Sequence, residues 1–335
     1  MTYRGRAAAS IENDHVRVTV LREGGHIAEI LHKASGVNPL WTPPWPSIEP
    51  SMYRADLHPE YGSGHESKLL GGIMGHNLCL DIFGGPSEEE AAAGLGVHGE
   101  GSVAPYEIQH DSSRLIMSSS FPLAQIRFER TVELAGSAVQ VREIVESLAA
   151  FDRPIAWTQH VTLGPPFLEC GVTQFQTSAT KSKVFEGGFG TADYLEPGAC
   201  FDWPMAPRSG GGVVDLSVFT GAAASCAFTA HLMDTGREDG FFTAFHPGLK
   251  LSFGYLWKRG DFPWLGIWEE NRSRTHAPWN GRTIARGMEF GVSPMAESRR
   301  RMVERGSLFG VPAYRWLTAH ERIEATYSVH FAGSL

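Results

Sequence analysis

The chain has 335 residues, 42% hydrophobic and 20% charged, which is enough apolar material for a sizeable core and too little charge for a disordered chain. A formal charge of −8 sets any nucleic-acid surface against the overall sign, and the single cysteines Cys79, Cys170, Cys200 and Cys226 form no C-x-x-C pair for a zinc knuckle, a thioredoxin motif or a dense disulfide scaffold. The opening MTYRGRAAAS lacks the apolar run of a secretory signal and no later stretch reaches the ~18 apolar residues of a membrane helix, so the expectation is a soluble, cytoplasmic protein with no membrane or nucleic-acid partner.

In chain order, Val16, Val18 and Val20 alternate with Arg17 and Thr19, enter the turn Glu23-Gly24-Gly25-His26 and return through Ile27 and Leu31 as a hairpin. Residues 38–72 are rich in Pro, Trp, Tyr and His and have no periodicity. A loop of that length and aromatic content is expected to pack near a site. Residues 87–93 (SEEEAAA) read as a short helix with a capping serine and an acidic first turn. A glycine-rich turn, Gly96 to Gly101, carries His98 and Glu100 and is expected to lead into a strand over 103–108.

Alternating runs follow at 114–118, 124–134, 138–148, 154–163, 213–219, 225–232, 249–257, 282–290 and 322–331, and WLGIWEEN holds a further strand around Trp268. Residues 296–305 (AESRRRMVER) read as a second short helix, charged on most faces and lying on the surface. With no internal repeat and no linker-like shift in composition, the pattern implies one all-β domain over 1–335, a sandwich or barrel with few peripheral helices.

H-E-x-x-H, G-x-x-x-x-G-K-[ST] and G-x-S-x-G are all absent, and the cluster EGGFG at 186–190 opens no helix of the kind a dinucleotide-binding turn needs. Neither a metal nor an organic cofactor is indicated. What remains is a set of histidines and carboxylates. In PIAWTQHVTL, Ile155, Trp157, Gln159, Val161 and Leu163 share one strand face, while Ala156, Thr158, His160 and Thr162 share the other, which either meets solvent or floors a polar groove.

In ARGMEFG, Glu289 shares its face with Gly287 and Gly291, glycines of the kind that mark close approach of a ligand or another backbone, or an edge strand. Glu269 and Glu270 are rival carboxylates, Trp264 and Trp268 either stack on a sugar or pack, and Arg272, Arg274 and Arg282 either hold an anion or stay solvated.

Taken together, IENDHVRVTVLREGGHIAEI, GVHGEG, WTQHVTLGPPFL, GMEFG and HERIEATYSVHF resemble, in that order, segments of the galactose mutarotase (aldose 1-epimerase) superfamily. The chain departs from that pattern in placing Gln159, Val161 and Phe167 near the histidine and in an extra segment, 294–318, before the last strand. The resemblance implies a large antiparallel β-sandwich, the galactose mutarotase-like supersandwich, with a sugar groove on a concave sheet face. It further implies Glu289 as general base and His160 as general acid, with His98 a second histidine on the substrate, a sugar or sugar phosphate, and no cofactor; Trp268 and Glu269, read from their own strand, are further substrate-binding candidates. Two other readings stand beside it. One is a non-catalytic sugar-binding protein; the other is a glycoside hydrolase or lyase pairing Glu289 with Glu269 or Asp261.

Overall fold

The computed structural model describes residues 1–190, 192–219 and 223–333. Strand accounts for 48% of the chain and helix for 7%, so the all-β reading holds. Among the described residues, two large antiparallel sheets dominate, one of 12 strands and one of 8. No helix is long and apolar enough to cross a membrane.

The core lies between the sheets and follows from period-2 alternation. Trp157, Val161, Ile267, Met288 and Phe290 point inward from the larger sheet and Phe253, Tyr255, Trp257 and Tyr327 from the smaller. Trp257 stacks on Phe290 at 4.3 Å between ring centroids. Each such buried side chain contributes roughly 1.5–3 kcal/mol of transfer free energy.

At the middle of the larger sheet, Arg153–Leu163 pairs with His76–Asp81 on one side and Ile284–Gly291 on the other, and Ile284–Gly291 pairs in turn with Trp264–Asn271. These four strands are buried on both faces, one covered by the second sheet and the other by loops. Double burial is why His76–Asp81, with all six residues buried, shows no alternation to read in the sequence.

The hairpin Val16–Leu21 and Ile27–His32 forms as expected, and Ser87 caps its helix in a reciprocal box with Glu90. Three expectations need correction. The strand expected over 103–108 is instead Glu107–His110, because the amides of Val103 and Ala104 both turn back to the Glu100 carbonyl. The run 213–219 is a strand only over Val213–Asp215.

The helix expected over 296–305 begins at Arg299, with Ser298 as its cap, and its arginines are not all solvated. Arg299 pairs with Asp81 and Glu90, and Arg305 pairs with Glu297 at 2.6 Å and Glu186 at 3.0 Å. The rest of the segment returns as Arg315–Leu317, which pairs with Arg153–Ile155 at the end of the central strand.

Candidate active site

Antiparallel register sets Asn77, His160, Glu289 and Gly266 side by side on four neighbouring strands of the outer face. His160 and Glu289 are direct cross-strand partners, and Nε2 of the imidazole lies 3.1 Å from Oε1 of the carboxyl. The two are in contact without hydrogen-bond alignment, so Oε1 stays a buried acceptor with no hydrogen bond. Thr162, two residues along on the same face, places its hydroxyl 3.0 Å from Nδ1 and orients the ring.

The two glycines beside Glu289 have different causes: at Gly291 the neighbouring backbone approaches closely, with the Trp157 carbonyl oxygen 2.7 Å from where a Cβ would stand, whereas at Gly287 it is the glutamate's own side chain. A Cβ at Gly287 would stand 2.1 Å from Glu289 Oε1, and one at Gly291 would stand 2.3 Å from Thr158 Oγ1. The space at Gly287 is filled by the glutamate itself. No ligand is needed to explain it.

His98 arrives from the glycine-rich turn. Its φ is +68° and that of Gly99 is +74°, and a Cβ at Gly99 would press to 2.2 Å from the Leu80 carbonyl oxygen. Only glycine lets the turn lie this close to the strand end. His98 is thereby held with its ring centroid 4.8 Å from that of His160.

Above the row is a cavity of about 260 Å³, floored by His98, His160 and Glu289 and walled by Trp268, Trp279 and Phe228. That is just below the ~300–1,000 Å³ of drug-sized sites, room for one ring. Leu69, Leu70 and Ile73 close one side, so the aromatic segment over 38–72 does pack at the site. The indole of Trp45 donates to the Leu70 carbonyl at 2.8 Å, and Trp45 meets Trp279 edge-on at 5.0 Å, locking this segment to the loop after Trp264–Asn271. Glu289 Oε1, His98 Nδ1 and the indole nitrogens of Trp268 and Trp279 are buried around the cavity without hydrogen bonds among the described residues. These groups keep hydrogen-bonding capacity that faces the cavity.

Burial discharges the central pair. It pushes the His160 imidazole down to about 4 and holds the Glu289 carboxyl well above the usual carboxylate range, while the His98 imidazole is also lowered far below its ordinary value. Both shifts favour the neutral forms, with a proton on the Glu289 carboxyl and none added to the His160 imidazole. That is the reverse of the ionised base and protonated acid that the resemblance implies.

His98, His160, Glu289 and Trp268 thus converge, whereas Glu269 does not. It lies on the opposite face of its strand, with Leu265 and Ile267, accepting from the Tyr194 hydroxyl at 2.5 Å and lying 3.5 Å from Arg286 Nε. This corrects its assignment to substrate, since alternation sends neighbours Trp268 and Glu269 to opposite sides. Neither Glu269 nor Asp261 lines the cavity, so the carboxylate pairs suggested for a hydrolase are not assembled.

Glu270 faces the cavity side but is consumed as a cap, accepting from the Ser273 amide at 2.6 Å and its hydroxyl at 2.7 Å. It thereby shapes the loop that presents Arg274, the one of the three candidate arginines that lines the cavity, with its guanidinium 4.6 Å from the Trp279 ring centroid. Sequence reasoning missed Asn77, Glu66 and Trp279. None had a usable signal: Asn77 lies in HNLCLD, a strand without alternation, and Glu66 and Trp279 lie in loops. Among the described residues, no group of three or more His, Cys, Asp or Glu is placed to hold a metal ion.

No protein-family model matches the chain, and no curated protein matches it in sequence. Solved structures match it in shape. A candidate aldose 1-epimerase from Klebsiella pneumoniae superposes with a TM-score of 0.70 at 13% identity, over 98% of this chain and 80% of that one. A candidate aldose 1-epimerase from Escherichia coli gives 0.66 at 11% identity, over 98% of this chain and 100% of that one. A galactose mutarotase-like protein from Clostridium acetobutylicum gives 0.61 at 13% identity, over 99% and 97%. At such low identity the likeness concerns architecture: this chain has the fold of the galactose mutarotase-like proteins.

Proposed function

We propose that the cavity exchanges the anomers of a sugar, with Glu289 as general base and His160 as general acid. The observation that carries this reading is their contact at 3.1 Å on the floor of a one-ring cavity. Anomer exchange removes the proton from the anomeric hydroxyl and protonates the ring oxygen, and both oxygens are bonded to the same carbon. Two proton carriers in contact suit two such neighbouring oxygens.

A bound sugar replaces lost solvation with its own hydroxyls, which favours the charged forms and lets the proton pass from Glu289 to His160. The carboxylate then takes the anomeric proton while the imidazolium gives one to the ring oxygen. The ring opens to the aldehyde, the C1–C2 bond turns, and closure with the roles exchanged yields the other anomer. Trp268 and Trp279 supply apolar faces and N–H donors to the ring, and His98 a further polar contact. Arg274 is the cation that a phosphorylated or carboxylated sugar would meet. The cysteines are all unpaired, which fits a reducing, cytoplasmic setting.

The test is NMR exchange on freshly dissolved single-anomer aldoses and their 6-phosphates. Acceleration that disappears in Glu289→Gln supports the reading. Sugar binding without acceleration would instead make this a carbohydrate-binding protein on the same fold.

A further inference from the structure

His98 is oriented through its backbone. Its Nδ1 is buried without a hydrogen bond among the described residues, so that atom does nothing to turn the ring toward His160. Two main-chain hydrogen bonds tie the residue to the strand end instead. The Leu80 amide donates to the His98 carbonyl at 3.3 Å, and the His98 amide donates to the Gly84 carbonyl at 3.2 Å. The position of His98 therefore follows the path of residues 80–84, where the strand His76–Asp81 runs into the cavity wall.

Asp81 makes that turn. Its φ is +80°, a left-handed conformation that side chains with a Cβ rarely adopt, and it is fully buried. Two guanidinium groups hold its carboxylate. Oδ1 accepts from Arg153 Nη2 at 2.5 Å, and Oδ2 accepts from Arg299 Nη2. Burial raises the Asp81 carboxyl and the two arginines oppose that shift, so losing either one favours its protonation.

The two arginines come from different places. Arg153 begins the central strand, whereas Arg299 begins the helix of the extra segment, and its other arm lies 3.3 Å from Glu90. The main chain makes the same junction. The Gly84 amide donates to the Glu297 carbonyl at 3.0 Å, and a Cβ at Gly84 would strike the Ala296 carbonyl oxygen at 2.2 Å. The extra segment thus lies flush against the residue that receives the His98 amide.

We propose that Asp81 and Arg299 form a clasp that positions His98 beside His160. Asp81 is a positioning residue acting through residues 82–84, and the extra segment 294–318 supports the site. This rests on the reading that the cavity is the substrate site.

NMR should follow the histidine ring nitrogens and the contact between the His98 and His160 rings. Arg299→Met should displace the His98 signals and weaken that contact, and Arg299→Lys should restore most of both. Asp81→Asn should displace the same signals. Arg300→Met, at the next position of the helix, where the arginine pairs with exposed Glu89 and Glu304, should leave both as in the wild type. In anomer exchange, Arg299→Met should raise KM about fivefold, the worth of one hydrogen bond, with kcat held within about twofold. In a His98→Ala background the same substitution should change neither, because the residue it positions is gone. Unmoved His98 signals in both Arg299→Met and Asp81→Asn, or an equal rise in KM with and without His98, overturns the clasp. If no sugar is exchanged, the functional reading fails while the ring-nitrogen spectra still decide the clasp.

Discussion

Gln159 and His160 are adjacent on one strand and both are buried, yet they face opposite sides of the sheet and meet opposite treatment. On the inner side, Gln159 donates to Glu143 at 2.6 Å, and Glu143 also accepts from Arg130 at 2.7 Å, Trp157 at 2.9 Å and the Tyr327 hydroxyl at 2.9 Å. Arg130 donates in addition to the Gly25 carbonyl at 3.0 Å. This network closes on itself around a fully buried ion pair. On the outer side, Glu289, His98, Trp268 and Trp279 each keep a buried polar atom with no hydrogen bond among the described residues. Satisfied polar groups rigidify a core and unsatisfied ones cost free energy until a partner arrives. Between these two neighbouring residues, satisfaction more than burial separates the closed inner network from the candidate site, although Glu269 Oε1 and Arg286 Nε, elsewhere on the inner face, also lack hydrogen bonds.

The largest expected effect that tests this contrast is catalytic. Glu289→Gln should lower kcat for anomer exchange by about 10²–10⁴-fold, the worth of one positioned proton transfer, with little change in KM. Near wild-type exchange by polarimetry would remove Glu289 from the chemistry.

The counterpart on the inner side is structural. Glu143→Ala should cost about 3–5 kcal/mol of stability, because it strands the Arg130 charge in the core. Urea unfolding measures this, and a variant as stable as the wild type would break the comparison.

The acid–base behaviour of the site gives a third test, in which the two partners act with opposite sign. Folded His160 takes a proton only near pH 4, whereas the unfolded chain takes one near 6.5. Between those values the unfolded state binds more protons, so stability is lost as pH falls through this window. His26 and His231, each pushed by burial to about 3, act in the same direction. His160→Asn should therefore soften the acid-side fall in melting temperature by the equivalent of a few kcal/mol.

Glu289 behaves oppositely. Its folded carboxyl holds the proton well above 4.5, so its contribution declines as pH rises from there, and Glu289→Gln should gain stability on the wild type towards neutral pH. A Gln variant that loses ground as pH rises would show that the carboxyl is ionised in the folded state. The smallest expected effect is that of Thr162→Val, which removes the hydroxyl beside Nδ1. It should cost about 1 kcal/mol, or roughly a five- to tenfold fall in kcat, and the loss should be recovered in Thr162→Ser.

Much of the fold was legible because β structure writes itself in local alternation. The faces of Arg153–Leu163 and Ile284–Gly291 could be assigned from sequence, and with them which of Glu289 and Met288 points to the core. His76–Asp81 was not legible, since burial on both faces erases the alternation. Glu269 was misassigned although alternation already groups it with Leu265 and Ile267; which of the two strand faces meets the core and which the cavity was decided only by the packing of the sheets.

What the sequence determined by itself was the all-β class, the faces of the strands that alternate, the Ser87 cap of its short helix and the candidacy of His160, His98 and Glu289. Those are local properties, set by backbone period and side-chain chemistry within a few residues. Only the tertiary structure decided that His160 and Glu289 are direct partners, that the glycine beside Glu289 makes room for its own carboxyl, and that Arg274 and Trp279 stand over the pair. Each of these depends on strand register and loop crossing between segments up to about two hundred residues apart, and cross-strand register is fixed by how whole faces pack, not by any one segment.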